Sequence, residues 1–278
     1  MREFDIEDLK KLYRPAKDSY GEDNGQVTII GGSRLFYGAP ILSLKVSSRI
    51  VDMVFFASPE PSVGRVAEQI KSKLMSFIWV PWEDAESYVA KSDAVLIGPG
   101  FMRFGSEKNK DHELVNPNKD GQKTREITKH FLQKFAQKRW VIDAGSLQTM
   151  DADWIPENAI VTPNKKEYKL LFGNMDPKVV AKKYECIIVM KGPETVVYSP
   201  AESVVVKGGN AGLTKGGTGD VLAGLTVALL TKNDPILAAC SASFILKAAA
   251  DKLYKKVGVN YNAEDLVDKI PSVLKSLI

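Results

Sequence analysis

Along the chain, short apolar runs alternate with longer stretches whose apolar residues recur at helical spacing. Val27–Ile30, Met53–Ala57, Phe77–Val80, Ala94–Ile97, Trp140–Asp143, Ile160–Thr162 and Ile187–Met190 are rich in Val and Ile and bounded by Gly, Pro, Asp or Ser. Each is too short for a helix, and the pattern predicts strands buried on both faces. Between them, Pro40–Arg49, Arg125–Gln137 and Lys178–Tyr184 carry helical patterns. This alternation predicts a parallel α/β sheet with helices on both faces. Further on, Thr195–Ser199 and Ser203–Val206 read as a hairpin about Pro200 and Ala201. Asp234 caps a long helix with Pro235 in its first turn and Gly258 beyond its end, and Asn262 with Asp265 opens the last helix.

One segment breaks the alternation. Arg103 to Thr124 is polar, contains Gly105, Asn109, Asn116, Pro117, Asn118 and Gly121, and lacks apolar periodicity. It reads as a long loop, either a lid or a surface insertion. No shift in composition marks a second core, so residues 1–278 are expected to form one domain, with 1–25 as an N-terminal extension.

Composition narrows the class. The formal charge is only +4 and no stretch concentrates it, which argues against nucleic acid. Cys186 and Cys240 are too few for a disulfide framework, and no Cys or His pair has zinc-ligand spacing. A reducing, cytoplasmic setting is expected. Met1 to Leu12 is charged throughout, unlike a signal peptide, and the longest apolar stretch, Pro235 to Leu246, falls short of a membrane span.

The chemistry concentrates in Gly216-Gly217-Thr218-Gly219-Asp220, which leads directly into the apolar run Val221-Leu222-Ala223-Gly224-Leu225. Glycines let the backbone aim several N–H groups at one spot, and the helix adds its unpaired N–H groups and positive dipole end. The product is an anion cradle. Asp220 beside it is either an ordinary helix-start stabiliser or a base next to a transferring phosphoryl group. No Gly-Lys pair is present, so this is not a Walker A loop, and no G-x-G-x-x-G follows a strand.

Four further clusters fall at strand ends, where open α/β sheets bind ligands. They are Gly31-Gly32-Ser33 with Tyr37-Gly38-Ala39-Pro40, Gly98-Pro99-Gly100, Asp143-Ala144-Gly145-Ser146, and Thr162-Pro163-Asn164-Lys165-Lys166-Glu167. Asn164 and Glu167 share a face at a helix start. They can hold the waters of Mg2+ near a phosphate, or form a capping box.

Taken in this order, the clusters resemble the ribokinase-like superfamily and, within it, the NAD(P)H-hydrate dehydratases. Asn164-x-x-Glu167 and the late Gly217-x-Gly219-Asp220 carry the superfamily likeness. Tyr37-x-Ala39-Pro40, Gly98-Pro99-Gly100, Asp143-Ala144, Lys191-Gly192-x-x-Thr195 and Gly209-Asn210-x-Gly212-Leu213 through Leu222 carry the dehydratase likeness. The resemblance implies a three-layer α/β/α fold with a mostly parallel central sheet. It also implies a repair reaction: ADP or ATP, with Mg2+, phosphorylates the ring hydroxyl of hydrated NADH or NADPH (NADHX or NADPHX), and phosphate elimination restores NAD(P)H. By the same likeness Asp220 is the base and also touches substrate, while Ala39, Gly100 and Asn164 bind the hydrated dinucleotide. Lys191, Gly192, Pro193, Glu194 and Thr195 hold the adenine nucleotide together with Gly216, Gly217, Thr218 and Gly219. Glu167, with Asn164, organises the metal. Relatives are often tetramers. Only about 25 residues precede the first strand, too few for a fused hydrate epimerase, so a separate epimerase is expected.

Two other readings compete. A ribokinase-like kinase of a small alcohol, such as a vitamin precursor or sugar, would use the same cradle and stop at the phosphate ester; Tyr37-x-Ala39-Pro40 argues against it. A nucleotide-binding regulator without turnover predicts loss of Asp220 or Glu167, and both are present.

Overall fold

The computed structural model describes residues 1–105 and 117–277. Its strands are β1 (Arg2–Glu3), β2 (Gln26–Ile30), β3 (Met53–Ala57), β4 (Ile78–Val80), β5 (Ala94–Ile97), β6 (Arg139–Ile142), β7 (Ile160–Val161), β8 (Ile187–Met190), β9 (Thr195–Tyr198) and β10 (Ser203–Val206). Its helices are α1 (Gly38–Ser47), α2 (Pro61–Ile70), α3 (Ala85–Lys91), α4 (Pro117–Lys134), α5 (Ala144–Leu147), α6 (Lys165–Phe172), α7 (Pro177–Lys183), α8 (Thr218–Leu230), α9 (Pro235–Val257) and α10 (Ala263–Leu277).

The strands join one sheet in the order β1-β10-β9-β8-β7-β6-β5-β2-β3-β4. From β4 across to β8 every pairing is parallel; β9 is antiparallel to β8 and β10, and β1 pairs parallel with β10. Successive side chains point to opposite faces, so each strand feeds two cores. Val27, Ile29, Val54, Phe56, Leu96 and Val141 pack with α1, α8, α9 and α10. Ile30, Phe55, Val95, Ile97, Trp140 and Ile142 pack with α3, α4, α6 and α7. The result is the three-layer α/β/α arrangement with a mostly parallel sheet.

Helix α8 is enclosed, every residue from Val221 to Leu230 being buried, which is why its sequence is apolar on all sides. Hydroxyls from α1 fix it: Ser43 Oγ donates to Asp220 O at 2.7 Å and Ser47 Oγ to Gly224 O at 2.9 Å. The expected caps are present. Asp234 accepts from the N–H groups of Ile236 and Leu237 at 2.9 and 3.1 Å, and Asn262 and Asp265 cap each other reciprocally.

The segment 103–124, expected as a loop, contains the start of a helix, because α4 begins at Pro117 and not at Arg125. Proline suits a first helical position, where the N–H would have no partner. Periodicity is silent there because the buried positions are the small Gly121 and Thr124, while Lys119, Gln122 and Lys123 are exposed. Phe104 occupies the space beside Gly121, its Cδ1 2.5 Å from a Cβ built there. Residues 106–116 of the expected lid lie outside the described residues. Six strand ends also differ: β2 starts at Gln26, β4 starts at Ile78, β6 takes in Arg139 and ends before Asp143, β7 ends at Val161 and β9 ends at Tyr198. Asp143 and Thr162 instead turn their side chains to each other. Among the described residues no helix is long and apolar enough to cross a membrane.

Candidate active site

The expected turns all lie at the carboxyl ends of strands: Gly31–Ser33 after β2, Gly98–Gly100 after β5, Asp143 after β6, Thr162–Asn164 after β7 and Lys191–Glu194 after β8. The start of α8 meets them there, since a Cβ at Gly219 would lie 3.4 Å from Lys191 Nζ. Thr218 anchors this start by donating its hydroxyl to Leu213 O at 2.7 Å and Lys215 O at 2.9 Å. The first N–H groups of α8 have no partner within the helix and present its positive end to the site.

Gly217 sits at φ +91, and a Cβ there would lie 2.5 Å from Leu42 Cδ1 and 2.9 Å from Ala263 Cβ. Gly217→Ala is therefore expected to cost about 2 kcal/mol through strain and crowding. Denaturant titration checks this; an unchanged midpoint would show that the turn relaxes freely.

A chain of charges crosses the site. Asp143 is buried, and its Oδ1 accepts from Thr162 Oγ1 at 2.8 Å and from Lys191 Nζ at 2.9 Å. Lys191 Nζ also stands 3.8 Å from Glu167 Oε2. Asn164 and Glu167 form a full capping box: Asn164 Oδ1 accepts from the N–H groups of Lys166 and Glu167 at 2.8 and 3.0 Å, and Glu167 Oε2 accepts from Asn164 N at 2.8 Å. Glu167 Oε1 accepts from Gln148 Nε2 at 3.1 Å.

Burial pushes the Asp220 carboxyl up to about 7; the charge of Asp143 adds to this and Lys191 opposes it. Burial likewise raises Glu167, against Lys191. At Lys191, burial works against the charge, but Asp143 and Glu167 outweigh it and hold the ammonium above its ordinary value. The edge thus carries one fixed cation and one carboxylate that titrates near neutrality, suited to taking a proton at physiological pH.

A cavity of about 620 Å3 opens beside Lys191. Of the expected residues, Asn164, Lys191, Gly192, Pro193, Thr195, Thr218 and Gly219 line it. Glu194 and Gly216 are exposed outside its wall. Ala39 and Gly100 are not on this wall either. They belong to a neighbouring cluster in which a Cβ at Gly100 (φ +74) would lie 2.1 Å from Phe36 O and 2.9 Å from Pro40 Cδ. The two parts meet through Lys191 and Asp143 on one side, and through Ser43, which also bonds Ala39 O at 3.5 Å, on the other. The sequence placed Asp143 among the strand-end clusters without assigning it a role, and it did not point to Ser43, because a mid-helix Ser offers no signal.

The chain, with its mostly parallel sheet between helices, shares the fold of a ribokinase-like superfamily protein of Enterococcus faecalis, at a TM-score of 0.80 and 22% identity, covering 99% of this chain and 96% of that one. The chain belongs to the NAD(P)H-hydrate dehydratase family, whose sequence model matches residues 27–272. It is 35% identical over 273 residues to the bifunctional NAD(P)H-hydrate repair enzyme Nnr of Methanocaldococcus jannaschii, covering 96% of this chain and 52% of that protein. The chain thus spans about half the length of such relatives. It is 30% identical over 300 residues to the ADP-dependent (S)-NAD(P)H-hydrate dehydratase of Nitrosopumilus maritimus, covering 96% of this chain and 95% of that one. The crystal structure of the ADP/ATP-dependent NAD(P)H-hydrate dehydratase of Bacillus subtilis, co-crystallized with ATP/Mg2+, superposes with a TM-score of 0.78 at 22% identity, covering 100% of this chain and 99% of that one.

Proposed function

We propose that this chain carries out the dehydratase reaction of its family on NADHX or NADPHX, using ADP or ATP. The ring hydroxyl attacks the terminal phosphorus of the nucleotide, the bond to the leaving oxygen breaks, and the hydroxyl proton passes to Asp220. The ring nitrogen then expels phosphate as a ring proton leaves, which restores NAD(P)H. Phosphate is a far better leaving group than hydroxide, so the protein's task is positioning and charge stabilisation.

The observation that carries this reading is the Asp220 carboxyl, poised near neutrality beside the N-terminus of α8 and the charged Lys191. In this reading Gly216 to Gly219 cradle the transferring phosphoryl with their N–H groups. Lys191, Gly192, Pro193 and Thr195 hold the nucleotide in the cavity, with Glu194 at its rim. Ala39, Gly100 and Asn164 contact the hydrated dinucleotide.

Among the described residues no group of three His, Cys, Asp or Glu side chains could hold a metal ion directly. Glu167 fits an ion bound through its waters, because each of its oxygens accepts only one hydrogen bond and keeps a lone pair. The Asn164 oxygen already accepts two, so Glu167 is the Mg2+ residue of this proposal, and Asn164 serves by capping. When bound, Mg2+ supplies neutralisation of the phosphate charge. A cytoplasmic setting and a homotetramer complete the proposal.

The test supplies purified protein with NADHX, Mg2+ and either ADP or ATP, and follows the return of NADH absorbance. Recovery with at least one nucleotide is expected. No recovery with either overturns the reading, and accumulation of a stable phosphate ester would favour the small-alcohol kinase instead.

A further inference from the structure

Helix α9 passes beside the cavity, and two of its side chains hold the loops that shape it. Lys247 is only 4% exposed. Its Nζ donates to Pro193 O at 2.7 Å and to Gly208 O at 2.9 Å. Pro193 lies in the turn between β8 and β9, Gly208 in the segment after β10, and both line the cavity, as does Lys247 itself. One turn along α9, Asp251 accepts from Gly209 N at 2.9 Å and Asn210 Nδ2 at 3.1 Å. Asn210 Oδ1 accepts from Gly212 N at 3.0 Å and Tyr261 Oη at 2.7 Å, which secures the rest of the second loop.

Packing alone does not explain a lysine here. Its neighbours on α9, Leu246 and Ala248 to Ala250, are apolar, and burying an ammonium is unfavourable unless partners compensate. Burial lowers its pKa, with Asp251 and Glu194 acting against that. An aliphatic side chain could fill the space, but only a donor can join two carbonyl groups on separate loops. Without the ammonium, two carbonyl oxygens would converge on one point with their negative ends facing and no donor between them.

We propose that Lys247 is a positioning residue for the nucleotide: by tying Pro193 to Gly208 it fixes the width of the cavity the nucleotide enters. This rests on the reading of that cavity as the nucleotide site. A preset width spares the nucleotide the ordering of two loops on binding. The reacting groups are held independently, by Ser43 and Thr218 on α8 and by Asp143 on Lys191. Loss of the clamp should therefore act on nucleotide binding and not on the chemical step.

Lys247→Met keeps the apolar stem and removes the donor. Calorimetry with ADP and ATP on wild type and variant gives Kd, and steady-state assays give kcat with both KM values. The expected result is a rise of about tenfold or more in nucleotide Kd and KM, with kcat and the NADHX KM within about twofold. Lys247→Arg, which can still donate to both carbonyls, is expected to recover much of the affinity, and Lys247→Gln, should Met fold poorly, to fall between. Wild-type nucleotide affinity in Lys247→Met overturns the proposal, as does a parallel loss in kcat and both KM values. A wild-type protein that binds neither nucleotide would instead overturn the assignment of the cavity.

Discussion

Asp220→Asn will lower NADHX turnover by roughly 10^2–10^4-fold, the range lost when a positioned base is removed. Adenine-nucleotide affinity should stay near the wild-type value, because the cradle is made of backbone N–H groups that the substitution leaves in place. The wild-type pH profile carries the same information. With the Asp220 carboxyl pushed up to about 7 by burial and by Asp143, its proton-accepting form is scarce below that pH. The rate should rise with pH and level off above about 7. Stability runs the other way. A carboxyl whose pKa is raised by folding binds its proton more tightly in the native state, so it stabilises the fold at acid pH and loses that contribution as pH rises through about 7. Asp220→Asn, which stays neutral, should therefore be at least as heat-stable as wild type at alkaline pH. Turnover near wild type in the variant would remove Asp220 from the role of base.

Asp143→Ala should produce the largest loss of stability among site substitutions. It leaves the Lys191 ammonium without its 2.9 Å partner and Thr162 without an acceptor, in a place where Asp143 is only 2% exposed. Breaking such a pair by removing one member costs about 3–5 kcal/mol; partial exposure of Lys191, at 21% of its side chain, places the expectation at the lower end. The variant also moves the pH profile. Asp143 raises the Asp220 carboxyl and engages the ammonium that lowers it. Removing Asp143 acts in one direction through both effects, and the rise in residual rate should shift to lower pH. Denaturant titration reads the first effect and the rate profile the second. A stable variant with an unmoved profile would show that Asp143 neither holds Lys191 nor feels Asp220.

The sequence made the sheet legible because buried parallel strands are continuous apolar runs, and Val27–Ile30, Met53–Ala57 and Ala94–Ile97 admit little else. It also disclosed the turns at the carboxyl edge, since Gly98-Pro99-Gly100 and Gly216-Gly217-Thr218-Gly219 have no other plausible local structure. It was weaker where small or polar residues do the packing. The first turns of α4 bury Gly121 and Thr124, so they leave no apolar stripe to read. Within the site, Asn164 and Glu167 were open to two meanings, and the structure shows the capping box, in which the Asn164 oxygen accepts two hydrogen bonds. Contacts between distant segments, such as Ser43 on Asp220 O or Lys247 between Pro193 and Gly208, leave no local trace in sequence, because each depends on where the sheet places its ends.

If a phosphoryl group moves from the nucleotide to the hydrate hydroxyl at the start of α8, with Asp220 taking the proton, rapid-quench turnover with nucleotide labelled at its terminal phosphate will catch it in transit. Label is expected to appear transiently on the hydrated dinucleotide, then as free phosphate in equal amount to NADH formed, with neither step in Asp220→Asn. NADH returning without nucleotide consumption, or phosphate released without label ever reaching the hydrate while NADH forms, would contradict it.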